Sequence, residues 1–213
     1  MGGKGDDDHH IVTQKDNTLS TDKDLASHII ARGERVILRR WLAGDVDQFI
    51  YWLSHGEWRL IDAPWHGYRT ETTAEQEKRD REWFTQKLNG GEETVLNRSV
   101  MIATTDNIPI GTIGREEYTP GVSLIGISIR EDAYLNRGYG TEALRLWVDC
   151  LFTGSDRHKL GLDTWSFNPR MIRVAEKVGF VLEGRERALR QWQGEWLDLL
   201  HFGILREEWQ GSG

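Results

Sequence analysis

Two glycines, Gly138 and Gly140, stand two residues apart where a predicted helix begins. Glycine lets a ligand approach the backbone closely, and the first N–H groups of a helix have no partner within that helix. The helix dipole favours an anion at this point, and Arg137 adds a cation beside it. The segment therefore predicts a phosphate-binding loop, formed by Asn136, Arg137, Gly138, Tyr139, Gly140 and Thr141.

Two ligands compete for such a loop, a dinucleotide and coenzyme A. The run Gly138-x-Gly140-x-x-Ala143 fits a dinucleotide fingerprint, and Asp163 follows at roughly the 20-residue distance of a ribose contact. That fingerprint normally follows its strand directly, whereas eight residues separate Ile129 from Gly138. Only about 70 residues follow the loop, too few for a full doubly wound sheet. Both facts favour the pyrophosphate of coenzyme A.

Apolar periodicity and turn residues predict the elements that position this loop. The order is β, α, α, β, β, β, α, β, α, β, β. Because a strand, a helix and a second strand in succession prefer parallel pairing, the sheet is expected to be antiparallel first, parallel in the middle and antiparallel at the end. The predicted strands are 35–41, 99–105, 108–118, 122–129, 159–165, 180–189 and 195–205, and the predicted helices are 45–54, 72–88, 138–152 and 168–178.

Several motifs in this order resemble the Gcn5-related N-acetyltransferase (GNAT) superfamily, and most of all its RimJ/RimL-like branch. The resemblance covers residues 34–209 and implies an α+β fold of three layers. Its central sheet would be mixed and mostly antiparallel, with a splayed parallel pair and flanking helices. The motifs are residues 126–129, 135–144, 168–180, 183–184, 194–198 and 203–209.

The resemblance implies that acetyl-CoA is the co-substrate and that no metal takes part. The pantetheine would pair with the strand near Ile127 and Ile129, and the loop 136–141 would hold the pyrophosphate. Asn168 would lie on the cofactor side of the last helix, and Arg173 on that helix would reach the cofactor. Asn168 can equally be a plain helix cap, and the two roles are compatible.

The family's catalytic groups are less plainly represented. A carboxylate on the second meander strand is expected as the base, and Glu116 is preferred to Glu117, since strand alternation lets only one of them face the cleft. Solvated charges at the strand end are the alternative interpretation. Ala175 occupies the position at which many members carry the tyrosine that acts as general acid. Ser166, Tyr134 or a water are left as candidates for the acid, with Ser166 placed first.

The acceptor is expected to bind against an aromatic-rich segment, because aromatic rings can line a pocket or enclose a cation. Trp52 and Trp65 are the predicted contacts, and an ordinary edge of the core is the alternative. The whole group comprises Trp52, His55, Trp58, Trp65, His66 and Tyr68.

The composition excludes several other classes. The chain has 213 residues, with 27 Lys and Arg against 34 Asp and Glu, and the net charge of −7 argues against a protein that coats nucleic acid. Its single cysteine, Cys150, excludes an internal disulfide and a cysteine-based zinc site. No secretory signal or membrane span is visible, so we expect a cytoplasmic protein without a membrane partner. A homodimer is one option for its assembly.

Residues 1–33 are polar and predict an N-terminal extension before one domain over 34–210. The acidic and histidine run at 6–10 is interpreted as a solvated tail in preference to a metal cluster.

Two functions remain open at this point. The first is an N-acetyltransferase that transfers acetyl from acetyl-CoA to a primary amine by direct attack in a ternary complex. The amine could belong to a protein N-terminus, an aminoglycoside-like antibiotic or a small amine. The second is a CoA-binding regulatory module with little or no catalysis, suggested by Ala175.

Overall fold

One mixed sheet of eight strands organises the protein in the computed structural model, which describes residues 22–89 and 99–211. The spatial order is β1-β2-β3-β4-β5-β6-β8-β7, and every neighbouring pair is antiparallel except β5 and β6. The predicted mixed sheet is thus confirmed. The strands are β1 Ile29–Arg32, β2 Val36–Arg39, β3 Val100–Thr104, β4 Pro109–Thr119, β5 Val122–Ile129, β6 Lys159–Trp165, β7 Val181–Trp192 and β8 Glu195–Leu205.

The parallel pair separates soon after it forms. Its register comprises Val122 with Lys159, Ser123 with Leu160 and Leu124 with Gly161. Beyond Leu124, β5 continues to pair with β4 as far as Ile129, but no described residue of β6 pairs with it. The two strands therefore splay, and part of one backbone edge of β5 faces the gap.

Helices cover both faces of the sheet, which makes three layers. They are α1 Asp22–His28, α2 Val46–Trp52, α3 Trp58–Ile61, α4 Ala74–Leu88, α5 Tyr139–Thr153 and α6 Pro169–Val178. The apolar stripe of α5, including Leu144, Trp147 and Leu151, is buried in the main core together with Ala175 and Val178 of α6. On the other face, Trp52 of α2 packs in a smaller core with Ile37, Met101 and Ala103.

The two helices beside the gap begin with local signals. Gly138 precedes α5 at φ 89°, a left-handed conformation that glycine adopts without a Cβ penalty. At the start of α6, the side chain of Asn168 accepts a hydrogen bond from the backbone N–H of Met171, and Pro169 occupies the first turn. Both starts therefore lie where the sequence places them.

Three short elements were not predicted from the sequence. The last part of the predicted extension forms α1 and β1, and β1 pairs with β2 at the edge of the sheet. The third, α3, lies inside the aromatic-rich segment. The acidic and histidine run at 6–10 lies outside the described residues. Within the described ranges, no helix has both the length and the apolar character that a membrane span requires.

Candidate active site

A cleft of about 520 Å³ occupies the gap between β5 and β6. It is lined by every residue from 125 to 130 and by 162–164 of β6. Because side chains alternate along a strand, a cleft that touches six consecutive residues must run along the strand's edge and reach both faces of the sheet. The backbone groups on that edge can bind an extended ligand as an added strand does.

The start of α5 borders one side of this cleft. Gly138, Gly140 and Thr141 line it, as does Asn136 just before the helix. A Cβ added at Gly140 would lie 3.5 Å from Cγ1 of Ile129, so that position is directly beside the end of β5. The unpaired N–H groups of the first helical turn therefore border the cleft, where they suit an anion.

Arg35 holds the glycine loop in place through two hydrogen bonds. Its Nη1 donates to the backbone oxygen of Arg137 at 2.8 Å, and its backbone N–H donates to Oε1 of Glu142 at 2.9 Å. These contacts join the start of β2 to the start of α5, more than a hundred residues later in the chain. Such a link holds the loop in place, and the sequence motif contains no sign of it.

Helix α6 borders the cleft on another side and connects it to α3. Asn168 lines the cleft, and its Nδ2 donates to the backbone oxygen of Ile61 at 3.4 Å. Both Nη atoms of Arg170 lie 3.1 Å from Oε2 of Glu57. Arg173 and Lys177 also line the cleft and add positive charge along α6.

The predicted cofactor contacts are mostly brought together. Arg137 is exposed and does not line the cleft, and Tyr139 packs edge-to-face against Tyr134, with ring centroids 5.1 Å apart. The cleft lining includes the other eight, which are Ile127, Ile129, Asn136, Gly138, Gly140, Thr141, Asn168 and Arg173.

The two predicted catalytic residues lie outside this lining. Glu116 is exposed and pairs across the sheet with Leu124, where β5 and β6 are still paired. Ser166 Oγ accepts a hydrogen bond from the backbone N–H of Asp198 at 3.1 Å. Of the alternatives for the acid, Tyr134 does line the cleft.

The neighbouring residues Glu117 and Ala175 are each engaged elsewhere. Glu117 lies 2.9 Å from Nη2 of Arg157, and this hydrogen bond, together with those from Ser123 and the nearby arginines, lowers its pKa. Ala175 is fully buried in the main core. A side chain there faces packed apolar groups.

The predicted acceptor contacts, Trp52 and Trp65, also lie outside the lining. Trp52 is fully buried, and its Nε1 donates to Oε1 of Glu131 at 2.5 Å. Trp65 packs against Trp165, with ring centroids 4.6 Å apart, and Arg190 lies over its ring at 4.7 Å. Each tryptophan therefore supports the structure around the cleft.

Within the aromatic-rich segment, Trp58, Ile61 and Asp62 line the cleft. Trp58 belongs to the aromatic group predicted from the sequence, whereas sequence reasoning missed Ile61 and Asp62. Arg130, the residue that follows β5, also lines the cleft, and its guanidinium lies 4.6 Å from the Trp58 ring centroid. Burial lowers the pKa of Arg130 to about 10, although Asp62 and Tyr68 oppose that shift. Burial likewise raises the pKa of Tyr68 to about 12, and Asp62 adds to it. An acidic residue among aromatic residues was the available signal for Asp62.

A second carboxylate, Asp163, lines the cleft from β6. Its Oδ1 lies 2.8 Å from Nδ1 of His201, whose Nε2 lies 2.8 Å from Oε1 of Glu186. Burial disfavours the charged imidazole, but the hydrogen bonds to the two carboxylates outweigh it and raise the pKa of His201. Asp163 is therefore already hydrogen-bonded to the His201 imidazole, whose charged form the two carboxylates favour.

Comparisons with known proteins agree with this geometry. The family profile "Acetyltransferase (GNAT) domain" matches residues 35–181. The chain is 28% identical to an uncharacterized N-acetyltransferase, YokL, of a Bacillus subtilis prophage, over 61% of this chain and 71% of that protein. It is 38% identical to a kanamycin resistance protein of Rhizobium radiobacter, over 32% of this chain and 64% of that protein.

Solved structures share the fold. Spermidine N-acetyltransferase from Vibrio cholerae, in complex with CoA and spermine, superposes with a TM-score of 0.63 at 18% identity, covering 81% of this chain and 96% of that one. None of these matches assigns the chain to the RimJ/RimL-like branch, which stays a prediction. Because the profile covers well over half of the chain and the splayed pair, cleft and glycine loop lie where such a domain needs them, the protein belongs to the GNAT family of acetyltransferases.

Proposed function

We propose that the protein transfers an acetyl group from acetyl-CoA to a primary amine by direct attack in a ternary complex. One observation carries the proposal: the cleft runs along the open edge of β5 and reaches both faces of the sheet. A thioester bound from one face and an amine entering from the other would meet at this edge. Aligning two reactants in this way supplies much of the rate of such a reaction.

The residues around the cleft suit the parts of acetyl-CoA. Pantetheine would lie along β5 near Ile127 and Ile129, where backbone groups face the gap. The pyrophosphate would bind the N–H groups from Asn136 to Thr141, and Asn168 would border the cofactor. Positive charge on Arg173 and Lys177 of α6, with Arg137 at the rim of the loop, would balance the phosphates.

The chemistry needs no covalent enzyme intermediate. A backbone N–H of β5 would polarise the thioester carbonyl, and the leaving thiolate would take a proton. Tyr134 lines the cleft on the α5 side and is the best-placed candidate to give that proton. Cys150 lies on α5, and burial raises the pKa of its thiol, so it is a poor nucleophile.

Two observations bear on the chemical class of the acceptor. Two of the similar proteins, a kanamycin resistance protein and a spermidine N-acetyltransferase, are named after polycationic amines, and this chain has a net charge of −7. Those properties support a cationic amine as the acceptor. A protein N-terminus, suggested by the predicted branch, is the competing acceptor.

An amine panel with CoA thiol release as the readout tests the proposal. The panel would hold spermine, kanamycin and a short peptide with a free N-terminus, each with acetyl-CoA. We expect amine-dependent thiol release with at least one of them and micromolar or tighter binding of CoA by calorimetry. CoA binding without amine-dependent turnover across the panel would instead support the regulatory module.

A further inference from the structure

Two carboxylates line the cleft, and only one of them is without a close partner. Asp163 is hydrogen-bonded to His201 at 2.8 Å. The Asp62 side chain makes no hydrogen bond to any other residue in the described ranges, although the charge of Arg130 is near enough to act on it. Asp62 is therefore the carboxylate whose oxygens are open to a ligand in the cleft.

The backbone around Asp62 is held from three sides. Its N–H donates to the oxygen of Trp58 at 2.9 Å, and its own carbonyl oxygen accepts a hydrogen bond from the Tyr68 hydroxyl. The carbonyl oxygen of Ile61, just before it, is contacted by Asn168 of α6. These contacts fix the position of a residue that follows only a one-turn helix.

Asp62 lies on the side of the cleft opposite the glycine loop. Arg130 and Ile129 are consecutive in sequence, so their side chains leave the chain on opposite sides. Ile129 faces the start of α5, whereas Arg130 lies over Trp58 of α3. Because α3 ends at Ile61, Asp62 is on the α3 side, where an acceptor would enter if the cofactor occupies the α5 side.

The environment of Asp62 favours proton uptake. The Asp62 side chain is exposed at the cleft, yet the protein around it partly desolvates the carboxyl group and raises its pKa, and the nearby charges of Arg130 and His66 only partly oppose the shift. A carboxyl group with a higher pKa is a stronger base and so accepts a proton from an ammonium group more readily. Glu116, the base expected from the sequence, is also exposed but lies outside the cleft lining.

We propose that the Asp62 carboxylate binds the acceptor's ammonium group and removes its proton, an inference that rests on the proposed acetyl transfer. The neutral amine then attacks the thioester carbon, the C–N bond forms and the C–S bond breaks. Of the three protons on the ammonium nitrogen, one stays on the amide, one passes to the CoA sulfur, and one is released through Asp62. No other co-reactant is required.

The test compares Asp62→Asn with the wild-type protein and with Glu71→Gln, which alters an exposed carboxylate nearby in the sequence that does not line the cleft. Thiol release is measured with spermine, or with kanamycin if spermine is not acetylated, from about pH 6 to pH 9. We expect Asp62→Asn to lower kcat by about 10²- to 10⁴-fold and to flatten the acidic limb of the pH–rate profile. Glu71→Gln should match the wild type, and the Kd of acetyl-CoA should stay within about twofold in all three proteins.

Asp62→Glu is the control for a folding defect in Asp62→Asn. It keeps a carboxylate near the same place, so we expect reduced kcat with the acidic limb retained. The inference is overturned if Asp62→Asn keeps kcat/KM within about threefold of the wild type, or if Asp62→Glu loses the limb while it still folds and binds acetyl-CoA. A wild-type protein that acetylates no amine would overturn the proposed function and this inference together, whereas an active Asp62→Asn variant overturns this inference alone.

Discussion

Gly140→Ala should separate cofactor binding from stability. At Gly140 the backbone is not in the left-handed region, and the added methyl group would meet Cγ1 of Ile129 at 3.5 Å, an ordinary van der Waals distance. Gly138 is different, because its φ of 89° strains any other residue and an added Cβ would lie 3.0 Å from Nη1 of Arg35. Only the substitution at Gly140 therefore fills the cleft without straining the chain.

The magnitudes follow from these two geometries. Alanine in a helix is more stable than glycine by about 0.5–1 kcal/mol, so Gly140→Ala should leave the melting temperature unchanged or raise it by about 1–4 °C. If the methyl group costs one amide hydrogen bond to a charged phosphate, worth about 1.5–3 kcal/mol, the Kd of acetyl-CoA rises about 10- to 150-fold. Gly138→Ala should weaken binding as well and also destabilise the fold by about 1–2 kcal/mol.

Calorimetric titration of acetyl-CoA and thermal unfolding of the three proteins measure both quantities. The wild type sets the reference, and Gly138→Ala shows the combined effect of strain and obstruction. Unchanged affinity in Gly140→Ala, with an unchanged or raised melting temperature, would refute the assignment of the pyrophosphate to this loop. If Gly140→Ala lost as much stability as Gly138→Ala, the conclusion that the backbone at Gly140 accepts alanine without strain would be refuted.

Three further predictions address charges around the cleft. Arg137→Ala should weaken the binding of acetyl-CoA by roughly 1–3 kcal/mol, and this loss of affinity should be smaller at high salt because the side chain is exposed. A loss of affinity that does not depend on ionic strength would indicate a structural role for Arg137. Because neither side chain lines the cleft, Glu116→Gln and Glu117→Gln should leave kcat and acetyl-CoA binding unchanged. A fall in kcat confined to Glu116→Gln, with CoA binding kept, would instead support the base expected from the sequence over Asp62. The pKa of His201 is raised, so its two carboxylate contacts stabilise the fold fully below its unfolded pKa of about 6.5 and progressively less as pH rises through the folded value. The difference in melting temperature between the wild type and His201→Gln should therefore narrow as pH rises, and a constant difference would contradict this linkage.

The order of elements could be predicted because local signals fix them. Alternating or continuous apolar runs between turn residues placed Val122–Ile129, Lys159–Trp165 and Glu195–Leu205 with the bounds that the structure has. The crossover rule then gave the parallel pair. Two four-residue elements, Ile29–Arg32 and Trp58–Ile61, were not predicted, because so short a segment shows no hydrophobic periodicity and forms only by packing against its neighbours.

The residues around the start of α5 could largely be predicted to share a site, because a glycine loop and a helix start keep their properties wherever they are packed. Which residues line the α3 side of the cleft could not be predicted. Trp52 and Asp62 lie close together in the sequence, yet the fold buries Trp52 completely and leaves Asp62 at the cleft. That difference depends on β5 and α6, which bring Arg130 and Asn168 to the segment from far along the chain. Burial and charge at a single side chain are set by such distant contacts, so only the tertiary structure could decide which of these residues lines the cleft.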